Sequence, residues 1–219
     1  MNTMKDIAIY GMGGFGREVA CLINGINKIS PQWNMIGFFD DGKEIGSKCG
    51  YGECLGGIEV LNRWTNPLCV VVAIGKPSIL KHIVESITNK NIEFPNIISN
   101  DVCWFDKNSV KLGKGNIITM DCQLSCDIKI GDFNVFNCRV NIGHDTQIGN
   151  FNSFMTDVKI AGSCLIGELN YLGVNAVILQ GLKVGNNTTV AAGSVVMRRT
   201  KDGYTYIGVP ASAWIMTNK

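Results

Sequence analysis

Bulky apolar residues recur at every sixth position through the second half of the chain. The series has fifteen consecutive members: Leu112, Ile118, Leu124, Ile130, Phe136, Ile142, Ile148, Phe154, Ile160, Ile166, Leu172, Ile178, Val184, Val190 and Val196. Because apolar residues make up 46% of the chain, an unbroken series of this length is expected by chance roughly once in 100,000 trials. A period of six fits neither a helix nor a single strand. It fits a chain that turns a corner every six residues, with three sides closing a triangular coil of about 18 residues and stacked coils burying an apolar column.

Small residues accompany this series at fixed positions. Glycine follows the apolar residue at seven places, and small or amide residues such as Thr146, Asn152 and Ala176 stand two positions before it. Gly and Asn suit corners because they accept positive φ at low cost. In these respects the sequence resembles the hexapeptide-repeat proteins, and the resemblance implies a left-handed parallel β-helix.

The first hundred residues have the pattern of an α/β domain. Strands are predicted at Ile7–Tyr10, Met35–Phe39, Cys69–Ile74 and Glu93–Ile98, and helices at Arg17–Ile26 and Pro77–Thr88. A strand, a glycine loop, a helix and a strand in that order form a βαβ unit with a parallel sheet. We therefore predict a Rossmann-like domain over residues 1–100 and a β-helix domain over residues 101–219, with the boundary within Ser99–Lys107.

Composition and charge exclude several classes of protein. The net charge is +2 and the basic residues are scattered, which argues against a nucleic-acid partner or an anionic membrane patch. No segment approaches 18 uninterrupted apolar residues and Met1–Asp6 is not a signal peptide, so we expect a soluble, cytoplasmic protein without membrane insertion. Nine cysteines without a CxxC motif, and only two histidines, argue against disulfides and against a metal site.

The glycine-rich segment Gly11–Gly16 lies at a strand-to-helix junction. Glycines there let backbone amides approach a phosphate, and the helix N-terminus favours negative charge. Asp40 ends the next strand, where a carboxylate can meet a ribose or a base. These features predict a nucleotide site, although the α/β portion is too short for the two halves of an NAD fold. A glycine turn needed only for packing is the alternative.

The repeat region contains the candidate catalytic residues. His144 stands two residues after an inward Ile, at a corner, and the adjacent Asp145 can orient its ring as a general base. Residues 18 apart lie on neighbouring coils about 4.8 Å apart, so Gly162 places a backbone amide one coil from His144, suited to a thioester oxyanion. Val174 and Ala192 are also 18 apart and mark a groove suited to a pantetheine arm.

The chain from Ile7 to Trp214 resembles a family of bacterial sugar acyltransferases. The motifs that carry the resemblance are Tyr10-Gly11-Met12-Gly13-Gly14-Phe15-Gly16-Arg17-Glu18, Phe38-Phe39-Asp40-Asp41, Ala73-Ile74-Gly75, Gly143-His144-Asp145, Ala191-Ala192-Gly193-Ser194 and Gly208-Val209-Pro210-Ala211. The family joins a small Rossmann-like nucleotide domain to a left-handed β-helix. It includes N-acetyltransferases of nucleotide-linked amino-sugars in surface glycan biosynthesis, and its relatives include sialic acid O-acetyltransferases.

The resemblance implies a role for each matching residue. His144 would be the general base, with Asp145 as its partner and Asn137 near the active-site corner. The substrate-binding residues would be Gly13, Gly14, Phe15, Asp40, Asp41 and Gly75, and the residues contacting acetyl-CoA would be Ser153, Gly162, Val174 and Ala192. Relatives often carry His at the positions of Phe15 and Ser153; Ser can still donate one hydrogen bond, whereas Phe can stack or fill space. The family forms homotrimers with active sites between neighbouring β-helices.

The sequence thus predicts an acetyl-CoA-dependent acetyltransferase that acts on the amine of a nucleotide-linked amino-sugar. We expect direct attack assisted by His144 and not an acyl-enzyme on Cys138 or Cys164. Three alternatives remain open: O-acetylation of a sugar hydroxyl such as that of sialic acid, an inactive trimeric nucleotide-sugar-binding scaffold, and a dehydrogenase that uses the glycine loop.

Overall fold

The computed structural model describes residues 4–214, and its chain divides into two compact units after Asn100. The predicted domains also include residues 1–3 and 215–219, which lie outside the described residues. None of the helices between residues 4 and 214 combines the length and the hydropathy needed to cross a membrane.

The first unit is a parallel sheet flanked by helices. Its elements are β1 (Lys5–Tyr10), α1 (Gly14–Ile29), β2 (Trp33–Phe39), β3 (Lys48–Cys49), β4 (Gly52–Gly56), α2 (Ile58–Asn62), β5 (Leu68–Val72), α3 (Pro77–Ser86), β6 (Ile92–Glu93) and β7 (Ile97–Ile98). The strand order β3-β4-β2-β1-β5-β6 is parallel except for the β3–β4 hairpin. The predicted βαβ unit is therefore confirmed as β1-α1-β2.

Sequence patterns predicted the interior of this unit better than its edges. Every residue of β5 is buried, as its continuous apolar run indicates, and α1 buries Val19, Leu22, Ile23 and Ile26. The single strand predicted at Glu93–Ile98 is wrong, because two short strands lie on either side of 94–96. Pro95, which has no amide hydrogen, interrupts them.

The second unit is a triangular parallel β-helix. Face 1 contains β10 (Ile117–Ile118), β13 (Val135–Phe136), β16 (Ser153–Phe154), β19 (Tyr171–Leu172) and β22 (Thr189–Val190). Face 2 contains β8 (Cys103–Trp104), β11 (Gln123–Leu124), β14 (Asn141–Ile142), β17 (Lys159–Ile160), β20 (Val177–Ile178) and β23 (Val195–Val196). Face 3 contains β9 (Lys111–Leu112), β12 (Lys129–Ile130), β15 (Gln147–Ile148), β18 (Leu165–Ile166) and β21 (Lys183–Val184). From β9 to β20, each strand of these faces pairs in parallel with the strand 18 residues further on. A 3-10 helix at Lys107–Ser109 precedes β9, and β24 (Thr205–Gly208) and β25 (Ala211–Trp214) form a closing hairpin.

The inward column has the predicted composition. Fourteen of the fifteen residues in the sixfold series are buried, and Leu112 in the first coil is half-buried. Buried amides accompany the column: the Oδ1 atoms of Asn116, Asn134, Asn152 and Asn170 each accept the backbone N–H that lies 18 residues later, at 2.8–2.9 Å. This ladder supplies buried backbone donors with acceptors and fixes the register of successive coils.

The three corners define three edges. Edge A (137–140, 155–158, 173–176, 191–194) joins face 1 to face 2, edge B (125–128, 143–146, 161–164, 179–182) joins face 2 to face 3, and edge C (131–134, 149–152, 167–170, 185–188) joins face 3 to face 1.

Each corner has one residue with positive φ, and most of these residues are not glycine. Asp145, Phe151 and Leu169 have φ of 57–60°. The glycines that directly follow inward residues are required for a different reason. A Cβ on Gly143, for example, would collide with the backbone of Gly162 in the next coil. The expectation that positive φ selects glycine at corners therefore accounts for only part of the pattern.

Candidate active site and nucleotide-binding loop

The N-terminus of α1 carries the glycine loop. The helix begins at Gly14, and Gly13 precedes it with no side-chain cap. Among residues 4–214, the amides of Gly14, Phe15 and Gly16 donate to no acceptor, and the first turn contains no acidic residue. Unpaired amides at a helix N-terminus attract an anion through hydrogen bonds and through the helix dipole.

Packing accounts for two glycines of this loop and leaves two unexplained. A Cβ on Gly16 would collide with the carbonyl oxygen of Gly11, and Gly11 itself has φ of 104°. A Cβ on Gly13 or Gly14, in contrast, would meet no atom within 4 Å. The packing alternative is therefore insufficient for Gly13 and Gly14, which border open space beside the unpaired amides.

Asp40 attaches the glycine loop to the end of β2. Its Oδ2 accepts a 2.7 Å hydrogen bond from the amide of Met12, and its Oδ1 accepts one of 2.8 Å from Gly42. The half-buried side chain therefore holds the loop in place. Its contact with a ribose or a base stays a prediction.

The Asp41 carboxylate accepts hydrogen bonds from residues of α2 and β1. Its Oδ1 accepts a 2.7 Å hydrogen bond from the amide of Ile58, and its Oδ2 accepts the hydroxyl hydrogen of Tyr10. Burial, the hydrogen bond and the charge of Asp41 raise the pKa of Tyr10 above its usual value. The tyrosine is therefore a permanent donor that fixes this carboxylate.

The predicted substrate-binding residues collect at one edge of the sheet. Strands β2, β1 and β5 are adjacent and parallel, so the segments after them, which contain Asp40, Gly13 and Gly75, share that edge. Gly75 is half-buried, and a Cβ there would meet nothing within 4 Å. The carboxyl edge of a parallel sheet is where α/β domains bind ligands.

His144 and Asp145 form a hydrogen-bonded pair on edge B. Nδ1 of His144 lies 2.8 Å from Oδ2 of Asp145, and the side chains are 50% and 61% exposed. In the neutral imidazole, a hydrogen on Nδ1 that is donated to this carboxylate leaves the lone pair on Nε2. An accessible imidazole oriented by a carboxylate has the geometry of a general base.

Gly162 lies against the free nitrogen of this imidazole. A Cβ on Gly162 would stand 2.6 Å from Nε2 and 2.7 Å from Cε1 of His144, so only glycine leaves room for this ring position. The amide of Gly162 donates to no acceptor within residues 4–214. The Cα of Gly162 thus lies beside the imidazole of His144, one coil further on, as the 18-residue spacing predicted.

The other predicted site residues lie on edge A or face 1. Asn137, Val174 and Ala192 are on edge A, where Nδ2 of Asn137 lies 3.4 Å from Sδ of Met155. Face 2 separates this edge from His144. Ser153 is buried on face 1, and its hydroxyl has no hydrogen-bond partner among residues 4–214.

Two further residues align with His144 and Gly162. Cys126 and Gln180 belong to the same 18-residue line as His144 and Gly162, one coil on either side of them. Sequence analysis overlooked both, although the same arithmetic finds them. All nine cysteines are free thiols, and residues 4–214 contain no group of three metal-ligating side chains.

The first unit is similar to a known family of domains. Residues 6–87 match the PglD N-terminal domain family. No curated protein sequence matches the chain.

Solved structures share the whole architecture. The acetyltransferase domain of PglB from Neisseria gonorrhoeae FA1090 is 25% identical, with a TM-score of 0.86 over 96% of this chain and 100% of that one, and a second structure of it contains acetyl coenzyme A. WeeI from Acinetobacter baumannii AYE is 27% identical, with a TM-score of 0.85 over 97% and 100% of the two chains. PerB from Caulobacter crescentus, in complex with CoA and GDP-perosamine, shares the fold at 23% identity, with a TM-score of 0.82 over 97% and 98%.

These matches confirm the predicted fold class, a Rossmann-like domain followed by a left-handed parallel β-helix, and the resemblance of the chain to these proteins. The predicted enzyme class agrees with the PglB neighbour, which is an acetyltransferase domain. The presence of acetyl-CoA or CoA in two of the structures agrees with the predicted acyl donor.

Proposed function

We propose that the chain transfers the acetyl group of acetyl-CoA to the amine of a nucleotide-linked amino-sugar. The observation that carries this proposal is the His144–Asp145 pair, hydrogen-bonded at 2.8 Å, with its free Nε2 against the bare Cα and unpaired amide of Gly162. One group to take a proton and one to stabilise an oxyanion are what aminolysis of a thioester requires.

In the proposed reaction the amine nitrogen attacks the thioester carbonyl directly. Nε2 of His144 takes the proton that the nitrogen loses, while Asp145 stabilises the resulting imidazolium through Nδ1. The Gly162 amide donates to the oxyanion of the tetrahedral intermediate. The C–S bond then breaks, the leaving thiolate receives the proton from His144, and an amide and free CoA are the products.

The glycine loop supplies the binding energy for the nucleotide half of the acceptor. The unpaired amides of Gly14 and Phe15 suit a phosphate, and the open space beside Gly13 lets it approach. Gly75 leaves similar space on the same sheet edge, and Asp40 and Asp41 hold the loops that frame it.

We also propose a homotrimer in which edge A of one copy faces edge B of the next. Asn137 and His144 lie on different edges of one chain, so a site that uses both needs two copies. Exposed apolar side chains on these edges support the pairing: Val174 is 49% exposed and Leu179 is 41% exposed. The nine free thiols and the acyl donor both suit the cytoplasm, and surface glycan synthesis would use the product.

A thiol-release assay with acetyl-CoA and a panel of nucleotide-linked amino-sugars tests the reaction. Wild type should turn over at least one amine, and His144→Ala should lose about 10²–10⁴-fold in kcat. His82→Ala, which changes an exposed histidine of α3, should keep full activity. Undiminished turnover by His144→Ala would refute the assignment of the base, and turnover only of hydroxyl acceptors would favour O-acetylation.

Sedimentation and complementation test the assembly. A trimer should have three times the 23.8 kDa mass of one chain. If Asn137 and His144 act across an interface, a mixture of Asn137→Ala and His144→Ala chains should regain part of the activity that each variant lacks. A monomer, or variants that never complement each other, would contradict the shared site.

A further inference from the structure

The carboxylate of Asp145 has one oxygen without a partner in its own chain. Its Oδ2 lies 2.8 Å from Nδ1 of His144, whereas no residue within 4–214 donates to its Oδ1. The side chain is 61% exposed, so water competes for both oxygens and screens the pair. A carboxylate that orients a general base in a catalytic triad is, in contrast, buried. The orientation of His144 therefore needs a further donor that holds Asp145.

Edge B contains no cation that could act as this donor. Its ionisable side chains besides His144 and Asp145 are Cys126, Asp127 and Cys164. The lysines on the adjoining faces that lie nearest along the chain are Lys129 and Lys159, and neither forms an ion pair with Asp145. A donor for the free oxygen has to come from another edge.

Edge A carries one cation, and its direction is fixed. Arg139 is the only Lys or Arg on edges A and B. Its Nε and Nη2 donate to the two carboxylate oxygens of Asp157 in the next coil, at 2.8 and 2.7 Å. Because a guanidinium has five N–H donors, this pairing leaves its other donors free, and the side chain is still 55% exposed. Asp157 therefore orients a guanidinium whose outer edge is available.

Cyclic symmetry brings this cation to the height of Asp145 in a neighbouring copy. Arg139 and Asp145 lie in the same coil and occupy the same corner position, with φ of 61° and 57°. A three-fold axis parallel to the β-helix keeps equal coils at equal height, and the proposed trimer sets edge A of one copy against edge B of the next. Asp157 draws the guanidinium toward the following coil, and the His144 ring leans the same way, toward Gly162.

We infer that Arg139 of one copy donates to the free Oδ1 of Asp145 in the next copy and so acts as a positioning residue for the general base. The inference rests on the proposed function and on its trimer, because the two residues lie on different edges of one chain. Charge complementarity supports it, since edge A presents its cation to an edge that carries Asp127 and Asp145. The contact holds Asp145 in place only in the assembled enzyme.

Mixed trimers test whether Arg139 acts across copies. Arg139→Gln chains keep edge B intact and His144→Ala chains keep edge A intact, so a trimer that contains both has some complete sites. The Arg139→Gln homotrimer should lose about tenfold in kcat. Random mixing of equal amounts completes about one site in four, so co-expressed chains should reach about a quarter of wild-type activity. A mixture no more active than the average of the two homotrimers would overturn the inference.

The pH profile separates a positioning role from a structural one. Without Arg139 the charge of Asp145 acts on His144 alone, so the protonated imidazole is favoured and the acid limb of kcat/KM should move up by about half a pH unit or more. Arg139→Gln/Asp157→Asn removes both members of the ion pair and should keep part of this shift. A limb that returns to its wild-type position in this double variant would assign the shift to unpaired Asp157 and overturn the inference.

Two further variants serve as controls for these measurements. Arg139→Lys keeps the charge but not the fork of donors, so it should recover part of the rate. Arg63→Gln breaks an exposed ion pair with Glu59 on α2, at 4.0 Å, and should behave as wild type.

Assembly provides a measurement that needs no acceptor. Arg139→Gln and Asp145→Asn should each lower the urea concentration at which the trimer dissociates, and the double variant should be no weaker than either, because both changes remove one contact. Additive effects, or none, would overturn the inference and leave the proposed reaction intact. Coupled effects in a protein that acetylates no amine would support the contact and count against the proposed acceptor. A wild-type chain that sediments as a monomer would overturn the trimer and the contact together.

Discussion

Replacing Gly162 with alanine should disable the base while leaving the coil intact. The added Cβ would stand 2.6 Å from Nε2, 2.7 Å from Cε1 and 3.0 Å from Cδ2 of His144, whereas ordinary contacts begin near 3.4 Å. The ring must therefore retreat by about 0.8 Å or rotate away from its bond to Asp145. The backbone can accept the change, because Gly162 is not among the residues with positive φ.

The size of the effect follows from this displacement. A catalytic group misplaced by about 1 Å costs roughly 10²-fold in rate, and complete loss of a general base costs about 10²–10⁴-fold. We therefore expect kcat/KM to fall about 100-fold, which corresponds to about 2.7 kcal/mol of transition-state stabilisation. The alanine keeps its backbone N–H, so the loss is assigned to His144 and not to the oxyanion donor.

A double-mutant cycle isolates that cause. Rates are measured for wild type, Gly162→Ala, His144→Ala and the double variant, with enough enzyme to quantify the residual activity. Once His144 is absent, the new methyl group has no ring to displace, so the second substitution should have little further effect. Gly25→Ala, at an exposed position of α1 with open space around it, serves as the control for a Gly-to-Ala change.

Two results would refute the reasoning. Activity of Gly162→Ala within threefold of wild type would mean that the imidazole does not work from this position. An equal loss in the presence and in the absence of His144 would move the effect to the backbone of the coil. Thermal unfolding of each variant verifies that the fold is retained.

Three further predictions concern stability, binding and thiol reactivity. Asn152→Leu removes one member of the buried amide ladder and leaves the backbone N–H of Asn170 without its acceptor. The free energy of unfolding should therefore fall by about 1–3 kcal/mol, and an unchanged midpoint of urea unfolding would contradict this. Gly14→Ala adds a methyl group where the protein has open space, so Tm should stay unchanged. Calorimetry should show weaker binding of nucleoside diphosphates such as UDP or GDP, because the methyl group occupies space beside the unpaired amides. Unaltered affinities across such a panel would count against the phosphate site. Burial raises the pKa of the Cys122 thiol to about 12, so this thiol is almost entirely protonated at pH 8. Iodoacetamide should therefore label the exposed Cys21 first, as measured by peptide mass spectrometry. Rapid labelling of Cys122 would show that its corner opens.

The repeat fold was predictable because one inward apolar side chain in every six residues indicates both the six-residue period and the coil of about 18 residues. The 18-residue spacing also located Gly162 beside His144, and it could have located Cys126 and Gln180. The same arithmetic separates Asn137 from His144, since a difference of seven residues takes the chain from edge A to edge B. Register alone therefore places these two residues on different edges of one chain.

Contacts formed by loops were beyond the sequence pattern. The amide partners of Asp40 and Asp41 come from segments 28 and 17 residues away, and no local motif specifies that pairing. The β3–β4 hairpin and the short helix α2 were missed for a related reason. Their residues are mostly exposed or half-buried, so hydrophobic periodicity is weak there.

The three edges of the β-helix differ in what they do with their corner amides. On edge C, side chains of the next coil accept these N–H groups: Asp132 accepts the Lys114 amide at 2.9 Å, and Asn186 accepts the Glu168 amide at 2.9 Å. On edges A and B, no amide at the corresponding positions, His144 and Gly162 included, finds an acceptor within residues 4–214.

An unpaired backbone donor is tolerable where water or a ligand can reach it, and costly where it is buried. Among residues 4–214, four of the five such amides on edge C, all but that of Asn150, are therefore paired with side chains, whereas edges A and B keep a row of donors at coil spacing. A thioester arm lying along such a row would meet an amide in each coil. Edges A and B are also those that the proposed trimer brings together, so the distribution of unpaired amides independently favours the groove between them as the donor site.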